Sequence, residues 1–143
     1  MSKLNGVKSV FNLGNLDYNK ENYYIFEGPF DSCFVKNGLA IGGITTSRTL
    51  FSGIQEEQLD KILLLNRIWV LDSQYQDDAA REKSRILLEE NEQVFLWPKE
   101  YGEKYKDFND IAVAKKLNEI PESFILENIV SGISGLIKLA QIK

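Results

Sequence analysis

"NYYIFEGPFDSCFVKNGLAIGG", residues 22–43, carries the reading of the fold. Its opening run of aromatic and branched residues has the look of a short buried strand. The run breaks at Glu27-Gly28-Pro29, and Pro29 suits the first turn of a helix, where its missing N–H removes no hydrogen bond. Asp31 then stands where the helix dipole favours negative charge. The pattern predicts a helix over 29–37, stopped by Gly38, and a second buried strand in "LAIGG". Strand, tight turn, helix and strand together make the building unit of a parallel sheet.

The alternation continues on the C-terminal side. "GITTSRTLFSG" reads as a loop, and "IQEEQLDKILLLN" spaces Ile54, Leu59, Ile62 and Leu63 as a helix would. "RIWVLD" is a strand ending on Asp72, and "DDAAREKSRILLEEN" a helix opened by acids and rich in good helix formers. "QVFLWP" is a fourth strand stopped by Pro98. Helices of this length between strands imply an α/β fold of three layers, about four strands, mainly parallel, with helices on both faces. The expected division is a lead-in over 1–22, a core domain over 23–121 and a C-terminal segment over 122–143. In that segment Phe124, Ile125, Ile129, Ile133, Leu136, Ile137 and Ala140 fall about one face of a helix, to pack on the sheet or dock a partner. Gly132 and Gly135 are places where that helix would break.

Composition excludes several chemistries. The chain has 143 residues with one cysteine, Cys33, and no histidine. It therefore has no internal disulfide, no Cys/His zinc site and no triad built on imidazole. Any metal must be held by oxygen, which suits Mg²⁺ or Mn²⁺. The net charge of −4 argues against strong unaided binding to nucleic acid. No apolar run approaches the length of a membrane span and the N-terminus lacks a signal peptide's apolar centre, so no membrane partner and a cytoplasmic location are expected.

Ligands of open parallel sheets bind beyond the carboxyl ends of the strands. Glu27 and Asp72 each end an apolar strand and would meet at that rim. Two carboxylates there repel unless a cation lies between them. A third cluster, Lys106, Asp107, Asn109 and Asp110 in "YKDFNDIA", follows the fourth strand. Each acid alone also fits a plain helix cap, with Asp107 capping "FNDIAVAKKLN" and Asp110 in its first turn.

In this order, "YYIFEGPFDSCFVKNGLAIGG", "IWVLDSQ" and "VFLWP" followed by "KDFND" resemble the TOPRIM domain of bacterial-type DNA primases, most closely those of tailed phages. The resemblance covers about residues 23–118. It implies a TOPRIM-like fold and Mg²⁺-dependent nucleotidyl transfer for RNA primer synthesis in DNA replication, inside a bacterial host cell. Carried over, the E-G-x-x-D glutamate is Glu27 and its aspartate Asp31, and the first aspartate of the second motif is Asp72. Glu27 and Asp72 become metal ligands, with Glu27 also a candidate general base. Gln74 stands where the family has a second carboxylate; it offers a carbonyl without charge, and Asp77 or Asp78 would substitute from the next helix. Asp107, Asn109 and Asp110 would hold the rim or a second cation through water, and Lys106 and Arg48 are phosphate candidates. The implied partners are a single-stranded DNA template, NTPs, and a helicase or zinc-binding primase module, because the chain is too short for a complete primase. The same carboxylates would serve a small TOPRIM nuclease, and loss of strong metal binding would leave a non-catalytic interaction module.

Overall fold

The computed structural model of the protein describes residues 15–40 and 61–142. Arg48, the expected loop over 43–53 and most of the helix after it lie outside the described residues. Five strands form one sheet in the order β2-β1-β3-β4-β5: β1 (Asn22–Phe26), β2 (Gly38–Ala40), β3 (Asn66–Val70), β4 (Gln93–Phe95) and β5 (Ile129–Val130). The first four are mutually parallel, and β5 adds to β4 antiparallel. The helices are α1 (Pro29–Ser32), α2 (Asp78–Glu89), α3 (Lys99–Lys104), α4 (Phe108–Lys115), α5 (Glu122–Leu126) and α6 (Gly132–Ala140). The expected α/β architecture is present, with one more strand than the sequence suggests.

The strands read as unbroken apolar runs because both faces of the sheet are covered. Side chains alternate between faces along each strand. Tyr23, Ile25, Trp69, Leu71 and Val94 join one core with Leu87, Leu88 and Leu139 of α2 and α6. Tyr24, Phe26, Ile68, Val70 and Phe95 join the other with Phe108, Ile111 and Ile125 of α4 and α5. Among the described residues no helix is long and apolar enough to cross a membrane.

Three elements differ from the sequence reading. The first helix is only four residues long, and Gly38 does not stop it but opens β2. Asn37 takes the left-handed turn instead, at φ 59°. Gly38 is required for a different reason: a Cβ there would stand 2.4 Å from the Ser32 carbonyl oxygen. In the C-terminal segment, the single helix is replaced by α5, β5 and α6. Ile129 and Val130 pair with Phe95 and Val94, and Gly132, at φ 59°, makes the turn into α6. The pattern taken for one helical face is thus split between two helices and a strand, and Ile133 and Ile137 face solvent.

Candidate metal centre

Strand order fixes where the acids meet. From β1 the chain crosses to β2 on one side, whereas β3 and β4 lie on the other, so the order reverses between β1 and β3. Loops leaving two such strands diverge and open a crevice at their carboxyl ends. Glu27 directly follows β1, and Asp72 follows β3 after Leu71. The register pairs Phe26 with Val70, so Glu27 leaves the sheet level with Leu71 and Asp72 follows one residue beyond on the neighbouring strand.

Hydrogen bonds between loops hold the crevice in shape. Asp31 is 8% exposed and its Oδ1 accepts from the Asn109 N–H at 2.8 Å, which ties the first loop to α4. The Ser73 N–H donates to the Lys106 carbonyl at 2.7 Å, and Trp97 Nε1 donates to the Leu71 carbonyl at 2.9 Å. The first bond joins the residue after Asp72 to the residue before Asp107, and the second joins the residue before Asp72 to the chain just after β4. Phe108, next to Asp107, packs edge-on against Phe26, Phe95 and Trp97, with ring centroids 5.3, 5.7 and 5.5 Å away. Asp107 caps α4 through the Asp110 N–H at 2.8 Å, and Asp110 accepts from the Lys106 N–H at 3.0 Å. The capping reading of the third cluster therefore holds, and capping uses one oxygen of Asp107.

Asp31, Asp72 and Asp107 each bring a carboxylate oxygen to a common point, with those atoms within 4.8 Å of one another. Burial first, then Glu27, Asp31, Asp107 and Asp77, push the Asp72 carboxyl up to about 7. Burial also raises Asp31, to about 6; the Asn109 N–H opposes this, and Asp107, Asp110 and Glu27 reinforce it. Glu27 Oε1 is shielded from solvent without a hydrogen-bond donor among the described residues, and Lys83 Nζ of α2 lies 3.5 Å from it. Hard oxygen donors, mutual repulsion and a shielded, underused carboxylate oxygen fit a divalent cation such as Mg²⁺ or Mn²⁺.

No family model matches the chain. Its sequence is related to the DNA primase of Enterobacteria phage T4. The two are 30% identical over 124 residues, which cover 82% of this chain and 32% of the phage primase. The chain thus spans about a third of that relative's length.

Two expected ligands have other work within this primase-related fold. Gln74 is fully buried, and its Nε2 donates to Ser84 Oγ and the Phe95 carbonyl, each at 3.0 Å. Its Oε1 accepts from the Trp97 N–H at 3.2 Å, so the Nε2 end joins α2 to β4 and the Oε1 end holds the chain just after β4. Asp77 caps α2, its Oδ1 accepting from the Ala79 and Ala80 N–H groups at 2.9 and 3.3 Å. Asp78 lies in the first turn of α2, and a groove of about 400 Å³ that it lines with Arg81, Arg85, Leu136 and Leu139 shares none of the clustered acids. Lys106 is exposed, and its backbone rather than its side chain shapes the site. Asn109 likewise contributes its backbone N–H. Asp107 as a direct neighbour of Asp72, and Lys83 as the cation beside Glu27, were not singled out from sequence. Both depend on how α2 and α4 pack, over separations that local pattern does not encode.

Proposed function

We propose that this chain is a TOPRIM-like catalytic-type domain of a phage DNA primase, holding a divalent cation between Asp31, Asp72 and Asp107 with Glu27 beside them. The observation that carries the proposal is the convergence of those three carboxylates at the point where strand order reverses. Relationship to a phage primase over most of the chain supports it. A bound Mg²⁺ or Mn²⁺ supplies charge neutralisation for the attacking and leaving oxygens of nucleotidyl transfer.

The residues divide the remaining tasks. Asp31 and Asp107 present oxygens already oriented by the Asn109 and Asp110 N–H groups. Asp72 exchanges a proton for positive charge. Glu27, whose Oε1 lacks a hydrogen-bond donor among the described residues, is the candidate general base. Single-stranded template and NTPs are the proposed substrates. An acidic chain leaves most of the template grip to a helicase or a zinc-binding primase module. The observation that favours a binding-only role is Gln74, an uncharged residue built into the core.

Isothermal titration with Mg²⁺ and primer synthesis on single-stranded DNA with NTPs, with and without replication partners, test the proposal. Wild type is expected to bind Mg²⁺ and Glu27→Gln and Asp72→Asn to lose both binding and synthesis. Metal-dependent nicking without NTPs would reassign the site to a nuclease. Equal Mg²⁺ binding by all three proteins would remove it.

A further inference from the structure

Among the described residues, the ion pairs place one basic side chain against the acidic rim: Lys83, with Nζ 3.5 Å from Glu27 Oε1. Both side chains are partly exposed, at 30% and 27%, although the Glu27 Oε1 that faces Lys83 is itself shielded. The helix carrying Lys83 is fixed in place by the residue after it, since Ser84 Oγ accepts from buried Gln74 and donates to the Ala80 carbonyl at 2.7 Å. Arg81 adds a bond from Nε to the Gln74 carbonyl at 3.2 Å. The backbone position from which Lys83 reaches Glu27 is therefore set by contacts of α2 with the core.

The geometry points to Lys83 as an exchangeable counter-cation, which neutralises Glu27 while no divalent ion is present and passes to a phosphate of the incoming nucleotide once one is bound. This inference rests on the metal-site reading above. A divalent ion beside Glu27 repels the ammonium group and takes over its role there. The displaced ammonium, on a flexible four-carbon stem with three donors, remains within reach of the same crevice. Phosphate oxygens supply the negative charge it then lacks. The ligand class is a nucleoside triphosphate carried with its metal, and Lys83 is a nucleotide-positioning residue distinct from the acids.

The two halves of this exchange predict changes of opposite sign, which a merely structural lysine does not produce. Titration of the full chain with Mg²⁺ alone should show Lys83→Met binding about three- to tenfold more tightly than wild type, because a competing charge is gone. Titration with α,β-methylene-ATP at saturating Mg²⁺ should show the same variant binding about tenfold more weakly, and Lys83→Arg recovering most of the loss. Changes of the same sign, or none in either titration, overturn the proposal and leave the metal site standing. Wild type that fails to bind Mg²⁺ removes the site itself and this role with it.

Discussion

The two rims of the sheet treat carboxylates in opposite ways. At the amino ends of β3 and β4, Glu92 is 9% exposed and meets Arg67 through two bonds of 2.7 Å, with Trp69 Nε1 donating at 2.7 Å as well. Burial works against its charge, yet the Arg67 and Trp69 donors outweigh burial and leave the carboxyl below its usual range. At the carboxyl ends of β1 and β3, Asp31 and Asp72 are pushed up to about 6 and 7 by burial and by other acids. Within one small domain, then, a buried acid that serves the fold has a fork of donors, and acids left to repel one another mark a place that awaits positive charge.

The largest expected effect breaks the first half of that contrast. Glu92→Gln removes the carboxylate of a largely buried, two-bond ion pair with Arg67, at a cost of about 3 kcal/mol in denaturant unfolding. A loss below about 1 kcal/mol would make the amino rim no better satisfied than the carboxyl rim. Gln74→Glu comes next, at about 2–3 kcal/mol, because a buried carboxylate replaces the donor to Ser84 and the Phe95 carbonyl. Were Gln74 instead a weakened metal ligand, the same change would tighten Mg²⁺ binding with little loss of stability.

Asp72→Asn is expected to act in the reverse direction. Without divalent cations at pH 8 it should stabilise the protein by about 1–2 kcal/mol, a figure discounted for partial exposure, while abolishing the rise in Tm that Mg²⁺ produces. The sign follows from linkage. Asp31 and Asp72 hold protons in the folded state at pH values where the unfolded chain has released them, so cation-free stability falls as pH rises from about 4 to about 7 and stays low above that. Added Mg²⁺ should flatten this decline, and its affinity should weaken below pH 7 as protons compete. Melting curves in EDTA and in Mg²⁺ between pH 4 and 8 check both statements, and a cation-free Tm that climbs across that range would contradict the raised acids.

Features with a physical origin inside a short stretch of chain were legible in the sequence. Strands buried on both faces show as runs such as "YYIF" and "IWV", and acids that end them share a rim by topology alone, so Glu27 and Asp72 were readable as neighbours. Asp107 was readable as a cap but not as the third acid of the cluster, which depends on Phe108 settling among Phe26, Phe95 and Trp97. The core bonds of Gln74 were not legible because its partners, Ser84, Phe95 and Trp97, lie 10 to 23 residues away. β5 was missed for a related reason: two residues acquire strand character only by pairing with β4, and "IV" within an apolar tail fits a helical stripe equally well.

Asp77 gives the smallest effect and the finest division between the two uses of an acid. Its Oδ1 already accepts from two N–H groups at the start of α2, as a structural cap should, yet it stands near enough to Asp72 to raise that group's pKa. Asp77→Ala should cost about 1 kcal/mol by loss of the cap. Asp77→Ser keeps an acceptor without the charge and should recover most of that stability. If Asp77 belongs only to the fold, calorimetric Mg²⁺ affinity changes by less than about twofold in either variant, the residual effect of one screened charge nearby. A tenfold loss of affinity in Asp77→Ser, with stability intact, would instead move Asp77 into the cation's own set of ligands and shift the boundary between the acids that hold α2 and the acids that hold the metal.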